Sequence, residues 1–336
     1  MRPVCGFVNE VTEEKLRFAK QIGVAGITEY TFDLPGKDYR EFSDLLNLRT
    51  RVEAEGLKLE AIESLPWRFY YKVMLGLPGR DEQIENWCKT LRNMGAAGIP
   101  ILGYHFMPLG IWRTSQDTRG RGGAHVTSFD MELAKNAPLL AKSIHPGVDT
   151  SLLPASTYHP INDEEMWENF TYFLKAVIPV AEEEGVKMGL HPDDPPVPSL
   201  GGVARIMRNV EAFKRVIEIV PSDYNGLVFC QGSFSEMGTN VIEAIRYFGS
   251  RKKIFYVHFR NVRGTADNFA ETFIDEGQTD MFETIKAYKE VGFDGPILDD
   301  HVPRIVDDTH WGHRSRAYSM GYIKALIDTV NAVSGS

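Results

Sequence analysis

The chain has 336 residues, 43% of them hydrophobic and 25% charged, with a formal net charge of −9. That composition holds ample apolar material for a large core and excludes the disordered and collagen-like classes. Scattered basic residues in an acidic chain exclude a nucleic-acid or anionic-membrane partner, and no apolar run approaches the roughly 18 to 20 residues needed to cross a bilayer.

The N-terminus, MRPVCGFVNEVTEEK, carries acids where a signal peptide would have its apolar stretch, so a cytoplasmic location and a small-molecule partner are expected. Cys5, Cys88 and Cys230 are far apart, with no CxxC pair, and do not read as a disulfide framework. Each must be a core residue or a ligand.

Eight β-rich runs follow one another along the chain: Val4–Val8, Ala25–Thr31, Leu57–Ser64, Ile99–Phe106, Val186–Pro192, Asn225–Gly232, Lys253–Arg260 and Asp294–His301. Segments with helical apolar spacing alternate with them, among them Ile84–Met94, Val241–Phe248 and Ser315–Val333. Strand-then-helix repeated in this way predicts a (β/α)8 TIM barrel, a fold that typically takes about 250 residues. The excess length falls in an insertion after the fourth strand, about residues 107–185. There TSQDTRGRGGAHVTS predicts a mobile loop, and Ile161–Glu184 the helix that returns to the sheet. A doubly wound open sheet is the alternative, but the first strand lacks a GxGxxG turn. With no internal repeat or linker, residues 1–336 are expected to form one domain; a homo-oligomer is allowed but not specified.

In such a barrel the catalytic groups stand at the C-terminal ends of the strands. Here those ends carry Glu63, His105, His191, Cys230, His258 and the pair Asp300-His301. Taken singly, each has a bland explanation: a buried core cysteine, a hydrogen-bonded histidine, an acid at a loop start. Together, His191, Cys230, His258 and Asp300 offer two imidazoles, a thiolate and a carboxylate from consecutive strands, a donor set suited to a divalent transition metal. The cysteine favours Zn2+ or another transition ion over Mg2+, and the other donors are compatible with Mn2+. Arg113 after the fourth strand and Arg260-Asn261 after His258 suggest an anionic, hydroxylated substrate, because an arginine fork matches a carboxylate. Arg119–Gly123, RGRGG, is either a lid over the substrate or a surface loop.

These segments carry a resemblance. AIESLP (61–66), GLPGRDEQIENWCKTLRNMGAAGI (76–99), YHFMP (104–108), HPDDPP (191–196), NGLVFCQGS (225–233), HFRN (258–261), DMFETIKAYKEVGFDG (280–295) and DDH (299–301) make the chain similar, nearly end to end, to the mannonate dehydratase family of xylose-isomerase-like barrels. The resemblance implies a metal, usually Mn2+ with Zn2+, Fe2+ or Mg2+ as alternatives, on His191, Cys230, His258 and Asp300. It further implies that a sugar acid such as D-mannonate or a related aldonate loses water to give a 2-keto-3-deoxy acid, with Asp300 and His301 as catalytic residues. Glu63, His105, Arg113, Arg260, Asn261 and Trp311 are then expected to face the substrate. The chain departs from the family in three places. Trp67-Arg68-Phe69-Tyr70-Tyr71-Lys72 stands where the family has VHEDIK, and Leu298-Asp299 stands where it has Arg-Pro. Trp311 takes the place of a tyrosine thought to act in catalysis. An isomerase or epimerase on the same barrel, and a non-catalytic sugar-acid binding protein, are the competing readings.

Overall fold

A computed structural model describes residues 1–8, 10–135 and 160–334. The chain opens with β1 (Arg2–Val8), α1 (Glu13–Gln21), β2 (Gly26–Glu29), α2 (Phe42–Ala54), β3 (Lys58–Ile62), α3 (Tyr71–Met74), α4 (Arg80–Ala96) and β4 (Ile101–Tyr104). A hairpin of β5 (Ser115–Arg119) and β6 (His125–Asp130) follows, then a short α5 (Met131–Ala134), α6 (Asp163–Glu183) and β7 (Lys187–Leu190). Next come β8 (Ser199–Leu200), β9 (Val203–Ala204), α7 (Val210–Ile219), β10 (Asn225–Cys230), α8 (Gln231–Glu236), α9 (Val241–Gly249) and β11 (Ile254–His258). A second hairpin, β12 (Val262–Thr265) and β13 (Asn268–Glu271), precedes α10 (Met281–Glu290), β14 (Pro296–Leu298) and α11 (His313–Ser334).

Strands β1, β2, β3, β4, β7, β10, β11 and β14 close into a barrel in that order, each parallel to its neighbours. All eight expected strands are present, each overlapping the run that predicts it. Because both faces of a barrel strand are covered, β10 (NGLVFC) is buried along its whole length. The helices obey the complementary rule: Ile84, Trp87, Cys88, Leu91 and Met94 fall on one face of α4 and are buried, which accounts for Cys88 as a core residue. Helix α6 starts at a capping box, with Asn162 and Glu165 each bonding the other's backbone N–H.

Inside the barrel, Val4, Ala61, Ile101, Val228, Phe255, Tyr256 and Leu298 form a buried cluster distinct from the larger core beneath the helices. Tyr256 reaches across this interior to Glu63. It can do so only because β4 has a glycine at position 103, where a Cβ would meet the Tyr256 hydroxyl at 2.1 Å.

The insertion departs from its expected form. The segment read as a mobile loop is the β5–β6 hairpin, and it joins β12–β13 in a four-stranded antiparallel sheet of order β12-β13-β6-β5. Two features hid it: SQDTR has little strand propensity, and the strand it pairs with, β6, finds its other partner more than a hundred residues away, at Phe129↔Phe269. The tip of this cap is tied to the loop after β14 by reciprocal backbone bonds between His125 and Arg304, at 3.0 and 2.8 Å. Residues 136–159 of the insertion lie outside the described residues.

Phe129 and Phe269 pack with ring centroids 6.0 Å apart, and the Arg113 guanidinium lies 4.9 Å from the centre of the Phe269 ring. We expect Phe269→Ala to destabilise the protein by about 3 kcal/mol, the range for removing a buried phenylalanine. Urea denaturation measures this, and an unchanged midpoint would show that the cap is not packed through this pair.

Candidate metal centre and its arginine network

Residues at one rim of the barrel converge as the strand register requires. Cys230 and His258 end β10 and β11 and pair in the ladder, His191 follows β7 directly, and Asp300 lies two residues beyond Leu298, the partner of His258. Side chains alternate along a strand, so Asp300 returns to the face used by Leu298. Ligand atoms of His191, Cys230 and His258 all lie within 4.8 Å of one another. Asp300 Oδ2 closes the group at 3.8 Å from Cys230 Sγ and 3.7 Å from His258 Nδ1.

The surroundings prepare these groups as donors. The His191 Nδ1 atom lies 2.7 Å from the Pro192 carbonyl, an acceptor only, so Nδ1 carries the proton and Nε2 the lone pair. Glu63 Oε2 accepts hydrogen bonds from the Tyr256 hydroxyl (2.8 Å) and His258 Nε2 (3.2 Å), which orients His258 with Nδ1 toward Asp300. Burial alone would push the Cys230 thiol up; the Arg260 guanidinium and His191 outweigh it and hold the thiol well below its usual range. Burial likewise opposes ionisation of Asp300, but His301, His258 and Arg260 hold its carboxyl below the usual range. Two imidazoles, a thiolate and a carboxylate in this arrangement fit a divalent metal.

Arg260 joins this group to a second one. Its Nε lies 3.3 Å from Cys230 Sγ and 2.9 Å from Asp300 Oδ2. Its Nη1 donates to Glu236 (2.8 Å) and Glu271 (2.9 Å), and its Nη2 to Asp194 (2.9 Å) and Ser233 (3.0 Å). Gly232 is required at this point, since a Cβ there would sit 2.6 Å from the guanidinium. Arg113 grips Asp194 with both Nη atoms (2.5 and 2.8 Å) and reaches Glu271 at 2.7 Å. Asp194, Glu271 and His301 therefore form a second compact cluster, with the Arg113 guanidinium as its cation. His301 is the open member, its side chain 30% exposed, with Nδ1 2.9 Å from Glu271 and Nε2 3.5 Å from Asp300 Oδ1.

Several residues expected to face the substrate have other partners. Arg113 and Arg260 are buried and saturated by carboxylates, so neither presents an open fork. Asn261 spends its amide on backbone: Nδ2 donates to the Ile274 and Thr279 carbonyls, and Oδ1 accepts from the Val262 and Thr279 amides. It holds the loop between β13 and α10. Trp311 packs on Phe18 and His313 and over Arg316, which in turn bonds Asp299. His313 is engaged by Thr309 and Glu14 on that same outer layer. Arg121, in the segment read as lid or loop, lies over Phe273 and pairs with Asp275. His105 does reach the rim, its ring centroid 4.9 Å from that of His191, and Glu63 lies behind His258.

The residues that sequence reasoning missed are the buried acids and a third arginine. Asp194 carries both arginine forks. Asp193 accepts the Met207 amide at 2.7 Å, and burial, offset in part by Arg205, pushes it up to about 6. Arg205 staples the same loop through the Pro195, Asp194 and Gly110 carbonyls. Two acids and three prolines directly after a barrel strand, in HPDDPP, were an available signal for Asp193 and Asp194. Glu271, in NFAETF, offered none.

With the geometry in hand, the comparisons place the chain. Residues 6–335 match the model of the D-mannonate dehydratase (UxuA) family. The mannonate dehydratase of Thermotoga maritima is 37% identical, covering 94% of this chain and 91% of that enzyme. The crystal structure of mannonate dehydratase from Streptococcus suis serotype 2 superposes with a TM-score of 0.88 at 31% identity, covering 100% of this chain and 96% of that one. An L-ribulose 3-epimerase structure superposes at 0.62 with 14% identity, covering 99% and 97%, and shares the barrel fold alone. The chain belongs to the mannonate dehydratase family.

Proposed function

We propose that the protein is a hydro-lyase that dehydrates D-mannonate or a closely related aldonate to the 2-keto-3-deoxy acid. The observation that carries this reading is the convergence of His191, Cys230, His258 and Asp300, with His301 adjoining Asp300 on the open side, in a chain of this family. His191, Cys230, His258 and Asp300 would hold the metal, Mn2+ in the first instance. When bound, a divalent ion supplies Lewis acidity toward the oxygen atoms of the sugar acid.

The chain's own residues account for the proton. Dehydration removes a hydrogen from C2 and a hydroxyl from C3 and releases them as water; the C2–C3 enol left behind becomes the 2-keto-3-deoxy acid as its hydroxyl proton is lost and C3 takes up a proton. His301 is the titratable group that is both beside Asp300 and partly exposed, so its Nε2 is placed to take the C2 proton and return it to the departing hydroxyl. Burial lowers its basicity, but Asp300 and Glu271 more than offset this and raise it above an ordinary imidazole. Arg113 and Arg260, already neutralised by carboxylates, hold the walls rather than bind the substrate carboxylate. Cys230, His258 and Glu63 are buried behind the rim and exclude water from the metal side.

We expect the purified protein to carry about one transition-metal ion per chain, and Cys230→Ser to lower that occupancy. Elemental analysis checks this; full metal content in the variant would remove Cys230 from the ligand set. With metal-replete enzyme, a panel of aldonic acids analysed by product mass should show loss of water. A product isomeric with its substrate would point instead to an isomerase. His301→Asn should lower kcat by roughly a hundredfold or more with metal intact, the scale of losing a general acid-base group. Turnover close to that of the native enzyme would remove His301 from the chemistry.

A further inference from the structure

We propose that Glu271, carried into the site by the cap sheet rather than by the barrel, is a positioning residue that sets the tautomer of His301. The inference rests on the proton-transfer role given to His301 above, but its first test does not.

Counting hydrogens settles which ring nitrogen carries the proton. Arg113 Nη2 lies 3.3 Å from His301 Nδ1, so Nδ1 could in principle accept from it. A guanidinium Nη, however, has only two hydrogens. Those of Arg113 Nη2 are directed at Asp194 Oδ2 (2.8 Å) and Glu271 Oε1 (2.7 Å), both closer than the imidazole. Glu271 Oε1 lies 2.9 Å from His301 Nδ1. Two arginines hold Glu271 ionised: burial opposes this, but the Arg260 and Arg113 guanidinium groups, at 2.9 and 2.7 Å, outweigh it. Both neighbouring carboxylates are ionised and only accept, but Glu271 is the closer, 2.9 Å from Nδ1 against 3.5 Å between Nε2 and Asp300 Oδ1; the single proton of the neutral ring therefore sits on Nδ1 as the donor to Glu271, which leaves Nε2 its lone pair. A buried carboxylate that orients an imidazole by its Nδ1–H is a known device for making Nε2 a general base.

The cap sheet provides this acid. Glu271 is the last residue of β13, pairs with Val262 and is held in register through Phe269↔Phe129. Its side chain is 3% exposed and is gripped by Arg260 and Arg113 at 2.9 and 2.7 Å. The carboxylate therefore cannot swing away without leaving two buried guanidinium groups short of a partner.

The first test is the 15N spectrum of histidine-labelled protein loaded with diamagnetic Zn2+, at a pH where the ring is neutral, with the His301 signal assigned by its loss in His301→Asn. We expect the Nδ1–H tautomer in the native protein, and reversion to Nε2–H, the form favoured in water, in Glu271→Ala. An Nε2–H ring in the native protein would overturn the proposal, whatever the substrate turns out to be. The second test is kinetic and uses Mn2+-loaded enzyme with D-mannonate. Glu271→Gln should lower kcat by about 10- to 100-fold while KM stays within about threefold. Glu271→Gln combined with His301→Asn should be no slower than His301→Asn alone, because Glu271 acts through that imidazole. Losses that multiply in the double variant would overturn the proposal. If no sugar acid is turned over, the functional reading fails while the tautomer still stands or falls on the spectrum. Should Glu271→Ala and Glu271→Gln fail to fold, the native spectrum decides alone.

Discussion

Arg260 is the residue on which the rest of the site depends. Its guanidinium is buried, and removing such a charge from water carries a penalty of several kcal/mol unless every N–H finds a partner. Here the partners are Cys230, Asp300, Glu236, Glu271, Asp194 and Ser233, drawn from β10, α8, β13 and the loops after β7 and β14. Satisfying one cation thus brings together elements far apart in sequence. The same positive charge keeps the Cys230 thiol and the Asp300 carboxyl in the forms a metal accepts.

The network also explains why acids in a dry site do not repel one another out of place. Asp194 stays ionised against burial because Arg113 and Arg260 both bond it, and Glu271 does so for the same reason. Glu236 is treated differently: burial pushes it well above the usual carboxylate range despite Arg260, so it leans toward its neutral form. Two ionised acids facing two arginines leave little net charge in the dry wall. Asp300 and Cys230, on the other side of Arg260, keep negative charge beside His191 and His258 at the rim.

The cap sheet makes the site more than a barrel rim. Its hairpins come from two separate insertions, one after β4 and one after β11, and neither has an independent core. They are held by the Phe129–Phe269 contact, by Arg113 against Phe269, and by the His125–Arg304 bridge to the loop that carries Asp300 and His301. Cap and rim are thereby one packed unit.

The barrel was legible in the chain because eight apolar runs alternate with amphipathic segments, and a parallel sheet closed by helices is the arrangement that buries both. The convergence of His191, Cys230, His258 and Asp300 was legible because they replace aliphatic side chains where strands meet loops, and backbone register alone brings such ends together. What each arginine does was not legible. A fork suited to a substrate carboxylate is equally suited to Asp194, and only the fold places Asp194 within 2.8 Å of Arg113 and 2.9 Å of Arg260. The cap was hidden for a related reason: β5 is polar, and β6 pairs with β13, a strand more than a hundred residues on, so no local period marks them. Local sequence determined the strands, the helices and the donor-type side chains gathered at the rim, since these follow from periodicity and from side-chain chemistry at strand ends. Tertiary structure decided the wiring around them, including Glu271 beside His301, because charge pairing acts through space between residues whose separation along the chain carries no signal.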